Sequence, residues 1–228
     1  MLVCCWSSKG GSGTTVVAAA LAVVLSRTSP VGALLVDLAG DLPSVLGLAA
    51  EPDGAGVAEW LGEGDLVPAD GLARVEVLAH GGLSVLPRGR GPLRTARAGA
   101  LAALLAADPR PVVVDGGLVG TSPAAAVAVD DRTALVAAIA ASADHSLLVV
   151  RPCFLALRRA VAAAVRPTGV VLVEEEGRAL TATDVEDVLG VPVQATVSVT
   201  AQVARAVDAG LLASRLPRTL ERELRHAA

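Results

Sequence analysis

Lys9 is the only lysine in the chain, against eighteen arginines. It stands in Ser8-Lys9-Gly10-Gly11-Ser12-Gly13-Thr14-Thr15, directly after the apolar run Leu2 to Trp6. An ammonium meets phosphate as a compact point charge, whereas a guanidinium is a planar fork, and this chain keeps its one ammonium at a glycine-rich turn. Glycines at 10, 11 and 13 let successive backbone N–H groups point into one hollow, and Thr14 and Thr15 then open a helix whose positive end faces that hollow. A buried strand, a glycine turn and an Ala/Val/Leu-rich helix from Thr14 to about Ser26 follow in the order a phosphate cradle requires. The competing reading is a glycine-rich strand-to-helix turn that holds no ligand.

Two aspartates close apolar runs. Asp115 ends Pro-Val-Val-Val-Asp and is followed by Gly116-Gly117, and Asp37 ends Ala-Leu-Leu-Val-Asp. In open α/β sheets ligands lie at the carboxyl ends of the strands, so these carboxylates belong near the glycine turn if the runs are parallel strands. The pattern supports that. Short β-rich runs at Met1 to Trp6, Ala33 to Asp37, Leu83 to Leu86, Pro111 to Asp115, Ser146 to Val150, Val170 to Val173 and Val191 to Thr196 alternate with alanine-rich helical stretches. They are continuously apolar, as strands covered on both faces are. The expected fold is α/β: a doubly wound, mainly parallel sheet with helices on both faces. Residues 1–228 are read as a single domain. The stretch from about 51 to 92, rich in Gly, Pro and Asp, is read as an excursion with a short helix around Val57 to Leu61 and a hairpin. A terminal helix is expected over about 211–228, broken at Pro217.

Composition narrows the setting. The chain has 228 residues, 53% of them hydrophobic, a net charge of −4 and a pI near 5.4. That balance does not favour broad nucleic-acid affinity. Cys4, Cys5 and Cys153 are too few for a disulfide framework, which points to a reducing compartment. The chain enters its first strand with no basic leader, and Lys9 and Gly10 interrupt any apolar span, so neither a signal peptide nor a membrane-spanning helix is expected. Cytoplasm is the expected location.

The turn resembles that of the MinD/ParA-type deviant P-loop ATPases, whose pattern is Lys-Gly-Gly-x-Gly-Lys-Thr/Ser. Lys9, Gly10, Gly11, Gly13 and Thr15 fall on it, while Thr14 stands where the family has its second lysine. The resemblance implies ATP or ADP bound by Lys9, Gly10, Gly11, Ser12, Gly13, Thr14 and Thr15. It also implies Mg²⁺ held by Thr15 and, through water, by Asp115, which matches the family's Walker B aspartate. Lys9 inherits the role of reaching the phosphates of a facing subunit in a nucleotide-promoted homodimer. Loops without the second lysine occur in the CpaE/TadZ pilus-positioning and septum-site branch, which Gly-Ser-Gly-Thr-Thr resembles. The implied work is spatial positioning of a chromosome, septum or pilus machine, together with a protein partner.

Several family positions differ here. Asp37 matches the first aspartate of the family's Asp-x-Asp switch element, but Ala39 replaces the second, which orients the attacking water. Loss of that carboxylate and of the lysine at 14 removes groups that stabilise phosphoryl transfer, so hydrolysis is expected to be slow or absent. Asp37 and Asp41 are the candidate catalytic carboxylates; Asp41 is alternatively a helix N-cap. Val173 stands where the family has a base-contacting asparagine. Val-Ser-Val-Thr200 lacks the Pro and Asp of the corresponding family segment, although Arg205-Ala-Val-Asp-Ala-Gly210 matches the helix after it.

Other conspicuous residues have plain readings. His80, His145 and His226 are scattered, without metal-ligand spacing. Glu174 to Glu176 read as a solvated turn, and Trp6 and Trp60 as packing residues. Leu212, Leu216, Leu220 and Leu224 with neighbouring arginines resemble the family's membrane-binding tail, but Pro217, Glu221 and Glu223 favour packing on the domain itself over membrane binding. Three functional classes remain: an ATP-hydrolysing partitioning ATPase, a degenerate relative that binds nucleotide weakly or acts as a nucleotide-free scaffold, and a different P-loop enzyme such as a ligase of the dethiobiotin-synthetase type. The missing lysine and Ala39 favour the second.

Overall fold

The computed structural model describes residues 1–48, 54–63, 69–120 and 132–227. Its strands are β1 (Leu2–Ser7), β2 (Ala33–Asp37), β3 (Val77–Leu78), β4 (Leu83–Leu86), β5 (Val112–Leu118), β6 (His145–Val150), β7 (Gly169–Glu174) and β8 (Val193–Ser198). They form one eight-stranded sheet in the order β3-β4-β2-β5-β1-β6-β7-β8. Every pairing is parallel except that of β3 with β4, the expected hairpin.

The helices are α1 (Thr14–Thr28), α2 (Leu42–Leu46), α3 (Val57–Gly62), α4 (Ala98–Ala107), α5 (Arg132–Ser142), α6 (Phe154–Val161), α7 (Ala182–Leu189), α8 (Ala201–Asp208) and α9 (Arg218–Leu224). Side chains alternate across the sheet. Leu2, Cys4 and Trp6 face one apolar layer with residues of α3 to α7, while Val3 and Cys5 face the other with residues of α1, α2, α8 and α9. Burial on both faces is why the strand sequences read as unbroken apolar runs. Among the described residues no helix is long and apolar enough to cross a membrane.

Two boundaries differ from the sequence reading. β5 continues through Gly116 and Gly117 to Leu118, so Asp115 lies inside the strand; the register with β1 shifts between Cys5 and Ser7 to bring Ser7 beside Leu118. The tail is helical only over Arg218–Leu224, because Pro217 provides the extended residue that starts α9. Leu212, Leu216, Leu220 and Leu224 are all buried, at 0, 7, 2 and 0% exposure, in the layer that contains α1. The leucine row thus packs on the chain itself.

Candidate functional site: the glycine turn after β1

β1 is the central strand, flanked by β5 on one side and β6 on the other. The chain therefore winds outward in both directions from it, and the crevice at its carboxyl end is where such sheets bind ligands. The glycine turn occupies that end. Gly11 and Gly13 hold φ of 74° and 88°, a region that side chains with a Cβ rarely enter. A Cβ built at Gly10, Gly11 or Gly13 meets nothing within 4 Å, so backbone conformation and not crowding requires glycine at 11 and 13. The turn is fastened by two hydroxyls: Ser12 Oγ donates to the Lys9 carbonyl at 2.7 Å, and Ser8 Oγ donates to the Ala156 carbonyl in α6 at 2.9 Å. Gly13 is the N-cap of α1, with no side chain capping the helix. The first-turn N–H groups of a helix have no intrahelical partners, so they remain available to an anion.

The open space above the turn is a cavity of about 310 Å³. Gly10 to Thr15 form one wall, and Ala39, Asp41, Gly117 and Arg132 stand on the others. Lys9 is not among the lining residues. Its charge is felt outside the cavity at Glu175, whose carboxyl is held below the usual range first by Arg178 and then, more weakly, by Arg151 and Lys9.

The two strand-borne aspartates are register partners across β2 and β5, and both are fully buried. Asp37 is consumed by the backbone. Its Oδ1 accepts from the N–H groups of Ala39 at 3.0 Å and Gly40 at 2.6 Å, and its Oδ2 accepts from that of Leu42 at 3.2 Å. Burial raises its pKa, and these three bonds oppose the rise. Asp41 occupies the N-cap position of α2 but makes no side-chain capping bond. Asp41 thus holds the N-cap position that one reading of the sequence assigns it, while the side-chain acceptor at the start of α2 is Asp37. Asp41 is exposed and lines the cavity.

Asp115 is different. Its Oδ1 accepts from Gly117 N–H at 3.1 Å, while its buried Oδ2 has no hydrogen-bond partner. Burial pushes its pKa up to about 7; the charges of Asp37 and Asp41 add to the rise, and the Thr15 hydroxyl and Gly117 N–H oppose it. An orphaned carboxylate oxygen beside a threonine hydroxyl suits a hard, oxygen-seeking cation, and Mg²⁺ takes one or two protein groups and fills its remaining positions with water and phosphate. No cluster of three or more His, Cys, Asp or Glu suited to a metal is present among the described residues, so such an ion would depend on a phosphate ligand.

A second, apolar pocket of about 180 Å³ borders the turn at Gly13, lined by Val16, Val173, Val197 and Val199 among others. Val173, which stands where the resembled family has a base-contacting asparagine, is one of its walls, together with Ser198 and Thr200. The cysteines are free, and burial pushes Cys4 up to about 12. Sequence reasoning missed Arg132; its only signal was a basic residue opening an alanine-rich helix.

No family model matches the sequence, and no curated protein matches it. Solved structures do. A ParA family ATPase from Chlorobium tepidum TLS superposes with a TM-score of 0.74 at 18% identity, over 100% of this chain and 98% of that one. The MinC:MinD cell division protein complex of Aquifex aeolicus gives 0.76 at 18%, over 99% and 93%. The septum site-determining protein MinD of Pyrococcus horikoshii OT3, complexed with Mg-ADP, gives 0.72 at 18%, over 99% and 93%. Such identities speak to architecture alone, and over essentially the whole chain they agree: this protein has the MinD/ParA P-loop ATPase fold.

Proposed function

We propose that this protein binds ATP or ADP with Mg²⁺ at the Ser8 to Thr15 turn and acts in the cytoplasm as a MinD/ParA-like positioning protein with weak or no hydrolysis. The observation that carries the reading is the unpartnered Oδ2 of Asp115, buried beside Thr15 under a glycine turn whose first-turn N–H groups are uncapped. Backbone N–H groups of Gly10 to Thr15 bind and orient the phosphates, and Thr15 and Asp115 hold the cation. The cation neutralises phosphate charge when bound. Asp37 fixes the turn from Leu38 to Leu42 that forms one wall of the cavity; its three backbone contacts make it a positioning group rather than a base. Asp41, exposed on that wall, is the only carboxylate among the described lining residues, and Ala39 offers nothing to orient a water. Slow turnover follows from that deficit.

Nucleotide-promoted homodimerisation, in which Lys9 would reach the phosphates of a facing copy, fits the absence of Lys9 from the residues that line its own cavity. The process served, whether chromosome partitioning, septum placement or pilus placement, is proposed from the neighbours in structure, as is a protein partner. The valine-lined pocket favours a second reading of weak nucleotide selectivity, since apolar walls stack a base without reading its edge. Titration calorimetry with ATP and ADP, and a phosphate-release assay, on wild type and Lys9→Ala test the proposal. Micromolar to millimolar binding with little phosphate release is expected; rapid turnover lost in Lys9→Ala contradicts the slow-hydrolysis part, and no binding contradicts the site.

A further inference from the structure

The cavity above the glycine turn poses a charge problem. Asp41 lines it, Asp115 lies buried beneath it with Asp37 as its neighbour, and the turn itself offers only Thr14 where a cation would face bound phosphates. A polyphosphate entering that acidic setting with backbone N–H groups alone meets like charge. Arg132, the first residue of α5, stands on a different wall of the same cavity. Its Nε is buried with no hydrogen-bond partner, and Arg132 forms no ion pair with any described residue. Arg110 shows how this chain satisfies a half-buried guanidinium elsewhere: it is clamped between Glu76 and Asp108 at 2.7 to 2.9 Å. The space beside Arg132 is kept clear by small residues. A Cβ on Gly117 would come within 3.0 Å of the Ala39 Cβ and 3.7 Å of Arg132 Nη1.

We propose that Arg132 supplies the positive charge on the nucleotide phosphates that Thr14 lacks, reaching them from the start of α5, which lines the same cavity as the glycine turn. The inference rests on the reading of the turn as a phosphate site. A guanidinium presents paired N–H donors suited to phosphate oxygens, so a cation on α5 replaces one on α1 without the two sharing a position in the sequence.

The test is a double-mutant cycle of ATP affinity, measured by titration calorimetry, on wild type, Arg132→Ala, Thr14→Lys and the double variant, with thermal unfolding of each as a check on folding. Arg132→Ala is expected to weaken ATP binding by roughly ten- to a hundredfold. Thr14→Lys should recover most of that loss in the Arg132→Ala background and gain clearly less in wild type, because the two cations serve the same phosphates. Arg132→Gln, which retains a polar stem, reads the same loss of charge if the alanine variant does not fold. Affinity within twofold of wild type in Arg132→Ala, or an equal gain from Thr14→Lys in both backgrounds, overturns the role of Arg132 while leaving the site. Absence of both ATP and ADP binding to wild type overturns the site itself, and the role of Arg132 with it.

Discussion

Asp37 and Asp115 sit side by side on neighbouring strands, equally buried, and end in opposite circumstances. Three backbone N–H groups converge on Asp37, which thereby shapes the loop into α2. Asp115 has one backbone N–H on Oδ1 and the Thr15 hydroxyl beside its carboxyl, while its Oδ2 has no hydrogen-bond partner. A buried carboxylate oxygen without a partner is costly, and burial with like charge nearby is the reason its pKa is pushed up to about 7. The difference separates two uses of the same residue type: one carboxylate organises the backbone, and the other is the one proposed to hold a cation.

Substitution should separate them most sharply. Asp37→Ala leaves three N–H groups without their acceptor and is expected to lower stability by about 3–5 kcal/mol in urea unfolding, with Asp37→Asn losing less. Asp115→Asn should act with the opposite sign, raising the stability of the ligand-free protein at pH 8 by about 2 kcal/mol, because a buried charge is removed. A destabilised Asp115→Asn would mean that Oδ2 has a partner in solution and would erase the contrast.

On the phosphate side, Thr14→Lys is expected to raise ATP affinity about tenfold, from a charge-assisted contact added to an existing cradle. Turnover should hardly move until Ala39→Asp is added, and the pair should then exceed the sum of the single effects in phosphate release.

The smallest effect belongs to the loop between α4 and β5. Arg110 holds Asp108 below the usual carboxylate range against the opposing effect of burial. A carboxylate with a depressed folded pKa contributes stability above its unfolded value near 4, and that contribution is lost as pH falls through the lower folded value. Arg110→Ala should cost about 1 kcal/mol at pH 7, flatten the decline in stability below about pH 4, and leave nucleotide affinity unchanged.

Much of the sheet was legible in the sequence because strands buried on both faces must be apolar throughout, and each expected run contains or overlaps an observed strand. The glycine turn was legible because Gly11 and Gly13 need positive φ. Less visible was anything settled by hydrogen-bond competition. Asp41 precedes α2 in sequence, yet the capping acceptor comes from Asp37, five residues before Leu42 and lifted into place by β2. Nor could spacing show that Arg132 lines the cavity while Lys9 does not, since Arg132 is brought there from far along the chain by the packing of α5 in its apolar layer. In the tail, Pro217 and the leucine spacing pointed to a broken segment packed on the chain itself, where the four leucines are buried, but they could not show that only Arg218–Leu224 is helical.

The central claim is that Asp115 and Thr15 hold a cation bound together with nucleotide at the glycine turn. Its most direct test is calorimetric titration of ATP into wild type and Asp115→Asn, each with Mg²⁺ and with EDTA. Binding to wild type that strengthens at least tenfold with Mg²⁺, and a much smaller Mg²⁺ effect in Asp115→Asn, is the predicted result. Equal affinity with Mg²⁺ and EDTA in wild type, or an undiminished Mg²⁺ effect in Asp115→Asn, would contradict it.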